Sequence, residues 1–220
     1  MEHIQHIFYI NLDHRTDRLE HIESQLSNLG VLDKSERFRA IKTTSGAVGC
    51  TMSHIKCLQL AIERKYENIF ICEDDITFLD IPTFTKSLKY FFNQKKLKQW
   101  DVLVAGGNNA PPFEQVSEYY AKIHNCQSTT GYIVNKHYFL SLLNNFKEGL
   151  AFLLRDPTNK RSFAIDVYWK QLQFRDNWYL ILPLTVVQIE SYSDIEERFV
   201  DYKNLMLDFD KKRMIQIFNA

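Results

Sequence analysis

Short apolar runs alternate along this chain with segments of helical period, the pattern of a sheet whose strands are joined by crossover helices. Residues 7–12 make a compact strand that breaks at Asp13-His14. A helix is predicted over residues 15–29, where Leu19, Ile22 and Leu26 share one face and Gly30 suits the C-terminal cap. A second strand is expected at 37–41. The polar Thr43-Thr44-Ser45-Gly46 stretch then leads into a helix with Ile55, Leu58 and Ile62 on its apolar face. Residues 69–72 read as a short buried strand running straight into Glu73-Asp74-Asp75. A helix over 84–92, a strand over 102–105 and Gly106-Gly107 complete the first half, residues 1–107.

The second half, residues 108–197, is less regular. It predicts a strand at 129–134, helices at 138–146 and 166–174, and a strand at 179–182 that Pro183 closes. No linker rich in Pro, Gly or Ser separates the halves, and there is no internal repeat. The expectation is one α/β domain over residues 1–220, a Rossmann-like, mostly parallel sheet flanked by helices, with residues 198–220 as a C-terminal tail.

Composition narrows the function classes. At 45% hydrophobic and 25% charged residues the chain is an ordinary globular one, not a disordered one. Net charge is +0, and the densest basic run, Lys95-Lys96-Leu97-Lys98, reads as a solvated helix end, so no nucleic-acid partner is expected. The apolar run at Ile7-Phe8-Tyr9-Ile10 is too short for a signal peptide, and no stretch is long enough to span a bilayer. A cytoplasmic location follows as an expectation. Cys50, Cys57, Cys72 and Cys126 lack metal-type spacing and read as reduced thiols, with Cys50 and Cys57 seven apart on one helix face.

The sharpest chemical feature is Glu73-Asp74-Asp75. Alternation along an extended chain sends Glu73 and Asp75 one way and Asp74 the other. Like charges at a strand end repel unless a cation or solvent screens them, and the carboxyl ends of strands in open α/β sheets are where ligands bind. Oxygen donors of this kind suit Mg²⁺ or Mn²⁺, whereas a solvated acidic turn is the plainer reading. Gly46 to His54 lies at a loop-to-helix junction, with Gly49 able to admit a close ligand and Ser53 and His54 in the first turns. A plain helix start with a packed core histidine accounts for it as well. Arg15 and Arg18, after Asn11-Leu12-Asp13, can reach a phosphate or stack on a base, or serve as surface partners of Asp17. Asp166 opens a helix, where N-capping and catalysis are both open, and Ser191-Tyr192-Ser193-Asp194 reads as a polar turn.

In order along the chain, these pieces resemble glycosyltransferase family 25, the group of bacterial lipopolysaccharide glycosyltransferases and animal collagen galactosyltransferases. The matching residues are Phe8 to Asp13 with Arg15, Asp17 and Arg18; Gly49-Cys50 with Ser53-His54; and Glu73-Asp74-Asp75. Trp100 to Leu103, Thr129 to Tyr132, Ile165-Asp166, and Gln188 with Ser193-Asp194 continue the series, which fades after Glu197. The resemblance implies a GT-A fold and inverting transfer of a hexose, galactose or glucose, from a UDP-sugar with Mn²⁺ or Mg²⁺. It implies an acceptor hydroxyl on a glycan, a lipid-linked saccharide or a collagen-like hydroxylysine, taken up by the second half. Asp75 and Glu73 would be at the metal, and Asp74 at the donor. Asn11, Asp13, Arg15, Arg18, Gly49, Ser53, His54 and Gln188 would surround the nucleotide sugar. Asp166 would be the base, with Asp194 and His54 as alternatives. A metal-dependent phosphoesterase and a non-catalytic carbohydrate-binding relative are the competing readings.

Overall fold

The computed structural model describes residues 1–94, 99–196 and 198–212. The basic run at 95–98 lies outside the described residues. In chain order the elements of the first half are β1 (His6–Asn11), α1 (Thr16–Asn28), β2 (Ser35–Arg39), α2 (Gly46–Glu63), β3 (Asn68–Glu73), β4 (Ile76–Phe78), α3 (Ile81–Phe92) and β5 (Val102–Asn109). There follow β6 (Phe113–Gln115), β7 (Tyr120–Ile123), β8 (Cys126–Asn135), α4 (Phe139–Arg155), α5 (Lys160–Phe163), α6 (Ile165–Tyr168) and α7 (Lys170–Arg175). The chain continues through β9 (Trp178–Ile181), β10 (Val186–Gln188), β11 (Ser191–Ser193), β12 (Arg198–Val200) and α8 (Lys203–Leu207).

Eight strands pair in the order β2-β1-β3-β8-β5-β9-β7-β6. The pairings β1–β2, β1–β3 and β5–β9 are parallel, whereas β8 and β7 run against their neighbours. The sheet crosses the expected 107/108 boundary, because β8 of the second half sits between β3 and β5 of the first. Strand alternation divides the core. Phe8 and Ile10 of β1, with Ile69 and Ile71 of β3, pack on the face covered by α2 and α4, beside Leu58, Phe146 and Trp169. Ile7, Tyr9, Phe70 and Cys72 pack on the other face against Leu26 of α1 and Phe84 and Phe91 of α3.

Several expectations need correction. The helix predicted at 166–174 is two short helices, α6 and α7, meeting at Trp169, which is buried and donates its indole N–H to Cys126 O. Helix α2 starts at Gly46, so Ser53 and His54 lie beyond its first turns and their backbone N–H groups are already inside the helix. The polar turn at Ser191 to Asp194 contains β11, which forms a hairpin with β12. Strands β4, β6, β7 and β10, at three or four residues each, are too short for a period to register in the sequence. Among the described residues no helix is long and apolar enough to cross a membrane.

One glycine position is fixed by packing. An added Cβ at Gly49 would stand 2.3 Å from the Ile41 carbonyl oxygen, a backbone atom. The close approach that Gly49 permits is therefore to its own chain. Ser53 holds the same contact by accepting from Ile41 N at 2.9 Å and donating to Gly49 O at 2.8 Å. Gly49→Ala is expected to destabilise the fold by about 1–3 kcal/mol through overpacking, read as a lower urea midpoint. An unchanged midpoint would show that the segment beside Ile41 moves aside freely.

Candidate functional site

The carboxyl ends of β1 and β3 lie at one rim of the sheet, and reversal of β8 brings its N-terminal residues to the same rim, with Gly131 opposite Cys72. This is where ligands bind in open α/β sheets. Strand β3 carries its alternation as far as Asp74. Glu73 turns to the α2 side and Asp74 to α1. Two residues past the end of β3 the alternation has lapsed, so Asp75 joins Asp74 at Arg18 instead of following Glu73. Arg18 Nη1 donates to Asp74 Oδ1 at 3.0 Å and to Asp75 Oδ2 at 3.3 Å.

Each carboxylate has a different setting. Glu73 Oε1 accepts from Thr129 Oγ1 at 2.7 Å, and His54 Nε2 and Cys50 Sγ lie 3.4 and 3.5 Å from it. Burial alone would raise the Glu73 pKa, but His54, Thr129 and Cys50 outweigh it and hold the carboxyl below its ordinary range. Asp74 Oδ2 accepts from Asn11 Nδ2 at 2.7 Å; burial nonetheless raises its pKa, against the opposing pull of Arg18. Asp75 is raised to about 7, first by burial and then by the charge of Glu73. Gln188 comes to Asp75 because β10 pairs with β4 in a register that puts Gln188 opposite Ile76. Its Nε2 lies 3.4 and 3.5 Å from the two Asp75 oxygens.

Two cavities open at this rim. The first, about 310 Å³, is walled by Leu12, Arg15, Arg18, Thr43, Thr44, Ser53, His54, Asp74, Asp75 and Asp194. The second, about 350 Å³, contains Ser128, Thr129, Lys160, Arg161, Asp166 and Tyr202. Cys50, Glu73, Gln188, Ser193 and Ile195 belong to both, so the cavities meet there.

The sequence-predicted residues are not all on these walls. Asn11 is buried and acts on Asp74 from behind, while its Oδ1 accepts from Arg37 Nη2 at 2.6 Å. Asp13 is exposed and pairs with Arg37 at 3.0 Å, away from both cavities. The arginines expected to be available to a phosphate are largely engaged. Arg15 Nη1 bonds Asp194 Oδ2 at 2.8 Å and Tyr192 O at 3.0 Å. Arg18 Nη2 bonds Ser191 Oγ at 2.6 Å and Tyr192 O at 3.1 Å. Asp166 is not an N-cap, a place held by Ala164. It accepts instead from Ser128 N at 2.9 Å, with Ser128 held at φ 83°. Burial, and next to it Glu73, raise the Asp166 carboxyl pKa. Sequence reasoning missed the bond from Thr129 to Glu73, the place of Cys50 where the cavities meet, and the support that Tyr132 gives His54. Only the matching Thr129 to Tyr132 segment hinted at the first and last.

Comparison with known proteins bears on the fold and the family. The family model described as glycosyltransferase family 25 (LPS biosynthesis protein) matches residues 33–148, more than half of the chain. That span contains α2, the acidic triplet and all of β8, while Asp166 and Gln188 lie beyond it. A glycosyltransferase 25 family member of Anopheles gambiae is 24% identical over 196 residues, covering 75% of this chain and 31% of the relative, so this chain spans about a third of that protein's length. Two solved structures share the fold. The glycosyltransferase involved in glycosylation of the major capsid of PBCV-1 has TM-score 0.51 at 11% identity, covering 92% of this chain and 88% of the other. A197 from STIV has TM-score 0.50 at 12% identity, covering 90% and 93%. The sheet is the expected GT-A type, with β7 and β8 running against their neighbours. With the family's span lying across the helix, triplet and strand that build the rim, the chain belongs to glycosyltransferase family 25.

Proposed function

We propose that this chain transfers a hexose, galactose or glucose, from a UDP-sugar to an acceptor hydroxyl in one inverting displacement. The donor lies in the first cavity and the acceptor in the second. The observation that carries this is the meeting of the two cavities at Glu73 and Gln188. A two-substrate transfer needs two compartments that share the point of reaction. The acceptor fits as a glycan, a lipid-linked saccharide or a hydroxylysine of a collagen-like chain.

The residues of the first cavity fit a hard divalent cation, Mn²⁺ or Mg²⁺. Three carboxylates converge there, and Arg18 is the guanidinium shared by Asp74 and Asp75, so negative charge is in excess. Asp75 would hold the cation with Glu73 beside it, and Asp74 would face the donor ribose or sugar. When bound, the ion would neutralise charge on the leaving diphosphate. In the transfer the acceptor oxygen bonds the anomeric carbon as the bond to the diphosphate breaks. Asp166, in the second cavity, takes the acceptor proton, and UDP leaves. The raised Asp166 carboxyl suits a group that must accept a proton at the moment of attack.

Three measurements test this reading. UDP with Mn²⁺ should raise Tm more than either alone, since ligands that bind only the folded state stabilise it by mass action. Equal UDP affinity in manganese and in chelator would remove the cation from donor binding. Asp166→Asn should keep metal-dependent UDP binding and lower turnover about a hundred-fold or more. Near-normal turnover would pass the base role to Asp194 or His54.

The third concerns pH. The Asp75 carboxyl rises from 3.8 to about 7 on folding, so its charged form is disfavoured in the native protein. Its contribution therefore lowers metal-free stability as pH climbs from about 4 through about 7, and levels off above. Asp75→Asn should flatten that part of the Tm-against-pH curve in chelator and stabilise the protein at neutral pH. Each kcal/mol recovered is worth about 2–4 °C in a chain of this size. Identical slopes in the two proteins would mean that Asp75 is ionised without penalty.

A further inference from the structure

We propose that Cys50, His54 and Glu73 form a second metal site, selective for a thiophilic ion such as Zn²⁺, which adjoins the oxygen-donor site at Asp75 and shares Glu73 with it. Cys50 and His54 are one helical turn apart on α2 and face the end of β3. One atom from each of the three residues lies within 4.8 Å of the other two. A tetrahedral zinc bound by sulfur, nitrogen and oxygen at ordinary lengths needs ligand atoms roughly 3.3–3.7 Å apart. The His54 Nε2 to Glu73 Oε1 distance is 3.4 Å and the Cys50 Sγ to Glu73 Oε1 distance is 3.5 Å. Two edges of that tetrahedron are thus already set.

The surroundings support the same ligand. His54 is buried, and its other ring nitrogen, Nδ1, lies 2.7 Å from the Tyr132 hydroxyl. In the metal-free protein Nε2 faces Glu73 as a donor; on metal binding Nδ1–H would donate to the Tyr132 oxygen and Nε2 would turn its lone pair to the ion, as the outer partners of metal-binding histidines arrange. Thr129 Oγ1, at 2.7 Å from the same Glu73 oxygen, fixes the carboxylate. Because Cys50 and Glu73 line both cavities, the fourth position opens onto water. Three protein ligands and one open position make an exchangeable site rather than a closed structural one. On binding, the Cys50 thiol proton passes to the buffer and the thiolate bonds the ion. Mn²⁺ and Mg²⁺ prefer oxygen ligands, so thiolate and imidazole select against them.

The site stands whether or not the transfer reading holds, because binding is measured directly. Metal-free protein is titrated with Co²⁺, and zinc affinity is measured by competition with a chromogenic chelator. The expected result is a thiolate-to-cobalt charge-transfer band in the near ultraviolet, one equivalent bound, and displacement by Zn²⁺. Cys50→Ser, checked for folding by circular dichroism, should abolish the band and weaken zinc binding at least about tenfold, the loss that removal of even an outer partner brings. Asp75→Asn should leave the band in place. Absence of the band in the unaltered protein, or its persistence in folded Cys50→Ser, would overturn the proposal. If the transfer reading also holds, zinc should inhibit donor turnover, since it engages Glu73; a cobalt band without inhibition would leave this site standing and remove Glu73 from the reaction.

Discussion

Three consecutive carboxylates at the end of a buried strand repel one another, and this chain relieves the repulsion by handing each to a different partner set. Glu73 is taken by Thr129, His54 and Cys50; Asp74 by Asn11 and Arg18; Asp75 by the remaining reach of Arg18 and by Gln188. Those partners come from α1, α2, β1, β8 and β10. The neighbouring elements therefore meet at one electrostatic knot, and two cavities are what remains of the space around it.

Reversal of β8 makes that arrangement accessible. A parallel strand in its place would bring its carboxyl end to the rim, whereas β8 brings the residues at its start. Ser128 and Thr129 thus stand beside the triplet, one bonded to Asp166 and the other to Glu73. Holding Ser128 in the left-handed region costs conformational energy that a Gly or Asn would largely avoid. The bond to Asp166 is made in that conformation, and it ties the second cavity to the same rim as the first.

Much of the fold was legible because β1, α1, α2, β3 and α3 are long enough for their period to show. Strands β4, β6, β7, β10, β11 and β12 were not, since runs of three or four residues are too short to establish a period. At the site, the acidic triplet was readable as a local cluster of like charge. The ties of Arg15 and Arg18 to residues 191–194 were not, because pairing across so long a separation leaves no local signature. Gly49 illustrates a different limit. A glycine at a helix start marks close approach, but the residue type does not say whether a ligand or the chain's own carbonyl approaches.

The first cavity has an unusual relation to the order in which the chain is made. Most of its wall belongs to the first third of the sequence, yet Gln188, Ser193, Asp194 and Ile195 arrive more than a hundred residues later. Until they do, β4 has no strand beside it and Arg15 and Arg18 lack their anchors at Tyr192. During synthesis the triplet thus emerges well before its last wall does. The first cavity is complete only once residues 188–195 have been made and have docked, so any ligand that needs all of its walls must bind after that stage.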